Sequence, residues 1–340
     1  MLTLTLATSQ AGYGQALTQG PLGPGAVVDD GSFGGASWFP ATNALTSNDL
    51  WAQVAPAGSP THYLKATNYA FSIPSPAQIL GIEVQVERHS ALGSIHDARA
   101  RIVKGGVVGA TDRSLPGAWP VAPDTTATYG GPSDLWGTTW TPADVNASNF
   151  GFALSVTDST DAAFVDYIAI KVYYSLCATT PAVGCRTAQK SVLVIKDNTT
   201  NSKDKLSWKW IKGQTTLQTE FGNPTVDANL AVCVYDNTGL LGEALVGPGA
   251  NWAALSTKGW KYLDKAATQD GITKEILSGS SSNNSKVLVK GKGINLPDIA
   301  PALTLPVKVQ LVSSTTGLCW ESTFSGSIKN QSGLFKAKAP

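Results

Sequence analysis

The sequence predicts an all-β chain: two antiparallel β-sandwich domains, of jelly-roll or immunoglobulin-like type, in tandem over residues 1–176 and 177–340. Three observations predict this. Apolar and polar residues alternate over short runs, the period of a half-buried strand. Gly, Pro, Asn, Ser and Thr separate those runs, and no long helical period intervenes. The third observation is a change of character at Tyr174-Ser175-Leu176-Cys177. Residues 1–176 hold 7 Lys+Arg against 13 Asp+Glu, a net −6, and residues 177–340 hold 18 against 11, a net +7. All three histidines (His62, His89, His96) precede this seam, and all four cysteines lie at or after it.

The elements follow in order. Leu2, Leu4 and Leu6 alternate with threonines and make one face of a short strand, pairing within its own domain or with a neighbouring subunit. This stretch has neither the basic region nor the solid apolar block of a signal peptide. Residues 12–36 are glycine-rich and read as a turn-rich lead-in. From Gln78 the strands become clear: Leu80, Ile82, Val84 and Val86 face one way, and Gly81, Glu83, Gln85 and Glu87 the other. Ala98 to Val103 repeats the pattern with its arginines outward, and Gly105-Gly106 turns a hairpin. Phe150, Phe152, Leu154 and Val156 share a face, as do Phe164, Ile168, Ile170, Val172 and Tyr174. Asp166 falls on that last apolar face, where a carboxylate accepts backbone or indole N–H bonds. Aromatic-rich stretches around Trp119, Tyr129 and Trp136 to Trp140 read as loops. Thr141 and Pro142 suit the cap and first residue of one helical turn.

After the seam, Ser191 to Lys196 and the run with Leu206, Trp208 and Trp210 form a hairpin with a long polar tip. Leu230 to Tyr235, Val287 to Lys290 and Val307 to Val312 add strands, and Ser313 to Gly317 turns the last back into Leu318 to Glu321.

Composition narrows the class of role. Charged residues make up 14 % of the chain, against ~25 % in typical soluble domains. Methionine occurs only at position 1. Four cysteines in such a chain imply disulfides and an oxidising compartment. Cys177 and Cys185 flank Pro181 and Gly184, which suits a small closed loop that would stiffen the interdomain joint. Cys233 and Cys319 each lie in a strand-like run. Of the three possible pairings, 177–185 with 233–319 is expected. Zinc is the alternative, but no C-x-x-C spacing occurs and no histidine is near. No apolar run is long enough for a transmembrane helix.

Phe71-Ser72-Ile73-Pro74, Ile79 to Val84, Asp134-Leu135-Trp136-Gly137, Trp140 to Asn146, Asp166-Tyr167-Ile168 and Val172-Tyr173-Tyr174 together resemble a β-sandwich module. Such modules occur in bacterial surface proteins and in phage structural and tail-associated proteins. The likeness covers residues 38–176 and brings no catalytic residues. The second half, with Gly184-Cys185-Arg186, Lys203 to Leu206, Trp208-Lys209-Trp210, Lys258 to Tyr262, Val289 to Gly293 and Phe335 to Lys338, resembles a module of secreted proteins from environmental bacteria. No activity is assigned to that module.

Catalytic constellations are weak. Asp158, Asp161 and Asp166 are close in sequence, as are Asp29 and Asp30, but no pair is singled out for acid–base chemistry. Asp158-Ser159-Thr160-Asp161 could serve calcium, yet the EF-hand pattern is missing. His89 and His96, with Asp97, read as surface or turn residues. There is no nucleophile elbow, P-loop or dinucleotide fingerprint. Lys286, Lys290, Lys292, Lys336 and Lys338 alternate with apolar residues and read as edge-strand lysines that block aggregation. A single Arg after the seam argues against a nucleic-acid reader. Trp119, Trp136 and Trp140 could stack on sugar rings, against the plainer reading of intersheet packing.

The expectation is therefore a non-enzymatic extracellular or cell-surface protein with no cofactor or metal. It would be a structural or adhesive subunit that self-associates head to tail into a filament through its oppositely charged domains. A glycan-binding module using loop aromatics and a phage virion or tail component are the alternatives.

Overall fold

The structure, a computed structural model, describes residues 16–340. The alternating leucines at positions 2, 4 and 6 lie outside the described residues. The described residues fall into two compact units, 16–174 and 175–340, and both are all-β.

In the first unit the strands are β1 (Leu17–Leu22), β2 (Ala26–Asp30), β3 (Ala52–Val54), β4 (Tyr63–Thr67) and β5 (Gln78–Ser90). They continue as β6 (His96–Lys104), β7 (Val107–Val108), β8 (Thr125–Gly131), β9 (Gly151–Thr157) and β10 (Ala163–Ser175). One antiparallel sheet has the order β1-β10-β5-β8, with β3 on the first part of β10, and the other has the order β2-β4-β9-β6-β7. Ile82, Val84 and Val86 of β5 and Ile168, Ile170 and Val172 of β10 are buried, as are Phe152, Leu154 and Val156 of β9. Tyr129 and Trp136 pack against Phe152 at ring distances of 5.4 and 6.0 Å, which ties the two sheets together. The alternation of the sequence is thus the inside–outside alternation of a sandwich.

The helical turn is α1 (Pro142–Asn146). The Thr141 hydroxyl accepts from the Asp144 N–H, and the Asp144 carboxylate accepts from the Thr141 N–H, a reciprocal cap.

Two stretches read as turns or loops are strands. The glycine-rich opening carries β1 and β2, edge strands without a clear apolar period. Gly20, at φ +99°, sits where β1 bulges against β10; an added Cβ would lie 2.5 Å from the Ile170 carbonyl oxygen. Tyr129-Gly130-Gly131 ends β8, and Tyr129 is buried.

The second unit contains β11 (Ala188–Lys196), β12 (Lys205–Gly213), β13 (Leu230–Asp236), β14 (Gly239–Val246), β15 (Trp252–Ala254) and β16 (Gly259–Leu263). It continues with β17 (Ile272–Ser278), β18 (Ser285–Lys292), β19 (Val307–Ser313), β20 (Cys319–Phe324), β21 (Lys329–Gln331) and β22 (Leu334–Ala339). An eight-stranded sheet, β15-β16-β17-β18-β12-β11-β22-β21, faces a four-stranded one, β14-β13-β19-β20. Leu193, Trp208, Trp210, Val287 and Val289 of the large sheet share one core with Val232, Val234, Val309, Leu311 and Trp320 of the small one. The polar tips of the core indoles find acceptors there: Trp208 donates to the Ser322 hydroxyl at 2.9 Å and Trp210 to the Glu321 carbonyl at 3.0 Å.

All four cysteines are in disulfides, but the pairing is Cys177–Cys233 and Cys185–Cys319. The strand register explains why the expected pairing fails. Cys233 on β13 and Cys319 on β20 are separated by β19. Two strand spacings amount to about 9–10 Å, beyond the reach of a disulfide. Residues 177–186 instead cross the outer face of the small sheet as a strap. Cys177 is bonded to β13, Ala182 exchanges hydrogen bonds with the Gln310 side chain of β19 at 2.7 and 2.9 Å, and Cys185 is bonded to β20. The bonds clamp the strap to the sheet; they do not close an eight-residue loop. No helix among the described residues is long and apolar enough to cross a membrane.

Candidate functional site

The most one-sided feature among the described residues is the outer face of the eight-stranded sheet. Residues at alternate positions of β11, β12, β18 and β22 point into the core, so the intervening ones share the opposite face. Register aligns that face in rows. Lys196, Lys205 and Lys292 lie side by side across β11, β12 and β18. The next row joins Lys329 to Lys336 and, beyond Val194 and Ser207, Lys290 to Lys274. The third holds Lys338, Lys209 and Lys261, separated by Val192, Leu288 and Ile276. Lys190 and Lys286 flank Ile211 in the fourth.

Twelve lysines thus occupy one face, and most are exposed. The only carboxylate within the strands of this sheet, Glu275, points inward and is fully buried. None of the twelve forms an ion pair among the described residues; the ion pairs of this unit are Arg186–Glu220 and Lys308–Glu321. Three acids, Asp197, Asp204 and Asp298, line a small cavity together with Lys196 and Lys205 at one end of the face. Burial, with the Asp298 and Asp204 charges, pushes the Asp197 carboxyl up.

The edge-strand account of these lysines holds only at Lys338. The outermost strands of the sheet are β15 and β21, whereas Lys286, Lys290 and Lys292 are on the internal β18 and Lys336 on β22 is covered by Lys329 of β21. β21 stops short of Lys338, whose side of β22 is an open edge among the described residues. Sequence alternation could place these side chains outward. It could not bring β11, β12, β17, β18 and β22 side by side, and only that pairing turns scattered lysines into a field.

Two polar clusters occupy the first unit. One oxygen from each of Asp49, Asp124 and Asp166 lies within 4.8 Å of the others. Positions so far apart in the chain carry no shared motif, and sequence reasoning named only Asp166. Asp166 accepts from the Asn48 N–H at 3.0 Å, in line with the structural role expected of it. Asp124 accepts from the Trp51 indole at 2.8 Å and is bonded to His89. The donor set is all oxygen, of the kind a hard divalent cation takes. His89 is not a surface histidine: it is buried and stacks on Phe164 at 4.6 Å, because β5 and the start of β10 are neighbours. His96 is exposed, and the His62 Nδ1 meets Asp29 at 2.8 Å.

The second cluster is a buried ion pair, Arg88–Asp97. Asp97 also accepts from the Trp119 indole at 2.7 Å and the Leu115 N–H at 2.8 Å. The Arg88 guanidinium lies 4.4 Å from the Trp119 ring centroid and donates to the Tyr129 hydroxyl at 2.7 Å. Such an arrangement holds a loop against two strands.

The loop tryptophans considered for sugar stacking are inside. Trp119 and Trp136 are 1 % exposed and Trp140 is 9 %. Their indole N–H groups donate to Asp97, the Ile82 carbonyl and the Leu135 carbonyl. No ring face is open to a glycan, so intersheet packing accounts for all three. Asp158 and Asp161, considered for calcium, serve their loops: Asp161 accepts from the Leu92 and Ser94 N–H groups at 2.9 Å, and Asp158 from Thr160 and Asp161. These N–H groups hold both carboxyls below the usual range although burial raises Asp161.

The roomier cavities are open dents between loops. One of about 430 Å³ is lined by Thr216, Lys258 and Ser280, and one of about 340 Å³ by Ala57, Leu92 and Asp161. No protein-family model matches the chain, and no curated protein matches it.

Proposed function

We propose that the chain is a non-enzymatic extracellular structural or adhesive subunit, with its second sandwich as the attaching part. The observation that carries this reading is the lysine face, of one sign and without internal counter-charges. A surface shaped only for solubility mixes both signs. Here like charges stand directly opposite one another across strands, as at Lys196, Lys205 and Lys292, an arrangement that destabilises a sheet. A face that keeps such charges together suits an anionic partner. The two disulfides suit an oxidising compartment.

Head-to-tail self-association is the second part of the proposal. It draws support from the net −6 before the seam and +7 after it, since heterologous contacts propagate into fibres unless the rotation closes. Many carboxylates of the first unit are already held by its own cations, among them Asp30 by Lys65, Asp112 by Arg101, Asp134 by Arg113 and Asp144 by Lys104. That leaves fewer to meet a lysine face, and it favours attachment to another surface over a filament. Electron microscopy and sedimentation at low and high salt, with thiol titration of native material, test both parts. Salt-sensitive assemblies and no free thiol are expected. A monomer at high concentration in low salt removes self-association, and four free thiols remove the extracellular reading.

A further inference from the structure

We infer that the outer face of the eight-stranded sheet binds a flexible linear polyanion, an acidic polysaccharide with carboxylates repeated along the chain. The choice of polymer rests on the extracellular reading; the geometry of the face does not.

Three features select the class of partner. The first is twist. Adjacent strands rotate by roughly 20–25°, so seven steps across this sheet accumulate about 150°. A planar bilayer or a rigid duplex touches only part of such a surface, whereas a flexible chain follows the rows. The second is the kind of cation. Every charge is a lysine ammonium, a point charge, and the lone arginine of this unit, Arg186, is occupied by Glu220. Guanidinium forks mark bidentate phosphate readers; lysines suit separate carboxylates met one at a time. The third is what lies between the charges. Val192, Val194, Ile211, Ile276 and Leu288 are buried or half-buried, and no aromatic side chain points outward. The face therefore offers no platform for stacking bases, and Leu263, exposed opposite Lys274, is a single apolar side chain, far less than the apolar stripe by which a surface beds into a bilayer.

The spacing fits an extended polymer. The strands lie ~4.8 Å apart and the sheet is about 34 Å wide, so one chain can run across the rows. Each lysine it neutralises releases condensed counterions, which makes the attachment strongly salt-dependent.

The test uses polygalacturonate and the full chain with its disulfides intact. Titration calorimetry at several salt concentrations compares wild type with K209Q/K290Q/K336Q and with a loop control, K203Q/K258Q/K265Q. The face variant removes one charge each from β12, β18 and β22 at exposed positions. Its affinity is expected to fall about 100-fold at low salt, taking roughly one tenfold step or less per surface lysine. The dependence of log K on log salt flattens by about 2, at about 0.7 per charge for a single chain. The loop control binds like wild type. Equal concentrations of charge as oligothymidylate and as anionic phospholipid vesicles are the competing arms.

Absence of polygalacturonate binding overturns the inference, as do equal losses in the two variants. Tighter binding of oligothymidylate or vesicles than of polygalacturonate also overturns it, in favour of that partner. Circular dichroism confirms that each variant is folded. Free thiols in native material, with polymer binding intact, would remove the extracellular reading and leave the face a polyanion site.

Discussion

Glu275 on β17 carries a prediction whose size follows from its burial. Its neighbours across the strands are Tyr262 on β16 and Val289 on β18, both core residues, and neither carboxyl oxygen has a hydrogen-bond partner. Burial pushes the carboxyl up from 4.5 to about 8. The unfolded chain loses this proton near its ordinary value, and the folded chain keeps it until about 8. The stability associated with the neutral acid is therefore complete below about pH 4.5, declines as pH rises and levels off above about 8. Each pH unit between those limits costs about 1.4 kcal/mol, so the penalty at pH 7 is about 3 kcal/mol. Glu275→Gln keeps the shape and the neutral state and removes that penalty. Scanning calorimetry of the second unit's transition, within the intact chain, should show Tm raised by roughly 6–12 °C at pH 7 and unchanged at pH 4. An equal shift at both pH values would refute the reasoning, because the gain would then not be linked to the carboxyl's proton; so would a loss of stability at pH 7, which would mean that the charged form has a partner in the fold.

Other outcomes follow from the same structure. Asp97→Asn leaves Arg88 buried without its counter-charge and should cost the first unit about 3–5 kcal/mol in urea unfolding, as breaking a buried pair does; Asp112→Asn, at a half-exposed pair, should cost about 1 kcal/mol or less. Non-reducing peptide mapping should recover Cys177 with Cys233 and Cys185 with Cys319. Cys185→Ser with Cys319→Ser opens a loop of 134 residues and should destabilise the second unit by up to about 5 kcal/mol in the chain-entropy account. Trp136→Ala empties a core position against Phe152 and should cost about 3–5 kcal/mol, with polygalacturonate binding unchanged.

Much of this fold was legible because its strands alternate. Ile82 to Val86, Phe150 to Val156 and Val307 to Val312 announce their inward faces, and Thr141-Pro142 announces its helical turn; Leu80, read as inward with Ile82, is only half-buried, and Ile79 is buried beside it. The cap also uses the Asp144 carboxylate, which stands three residues after Thr141 in the spacing of a capping box. Strands whose inner face is small or polar were not legible. Examples are β1 and β2 in the glycine-rich opening, and β17, whose inward Glu275 breaks the apolar period. The cysteine pairing also escaped the sequence, because it depends on β19 lying between β13 and β20. The lysine face shows the same limit. Lys290 and Lys336 read correctly as outward, but their shared field exists only once β11 and β12 come between β18 and β22. The carboxylates of Asp49, Asp124 and Asp166 come from three separate segments and meet only through that unit's strand pairing.

The central claim is that the lysine rows form the attaching surface. Its most direct test is chemical: acetylation of the native protein with and without polygalacturonate, read residue by residue by mass spectrometry. The account predicts protection of Lys196, Lys205, Lys209, Lys290 and Lys336 together, with Lys203, Lys258 and Lys265 labelled at the same rate in both conditions. Uniform protection of all lysines, or protection confined to the loop positions, would contradict it.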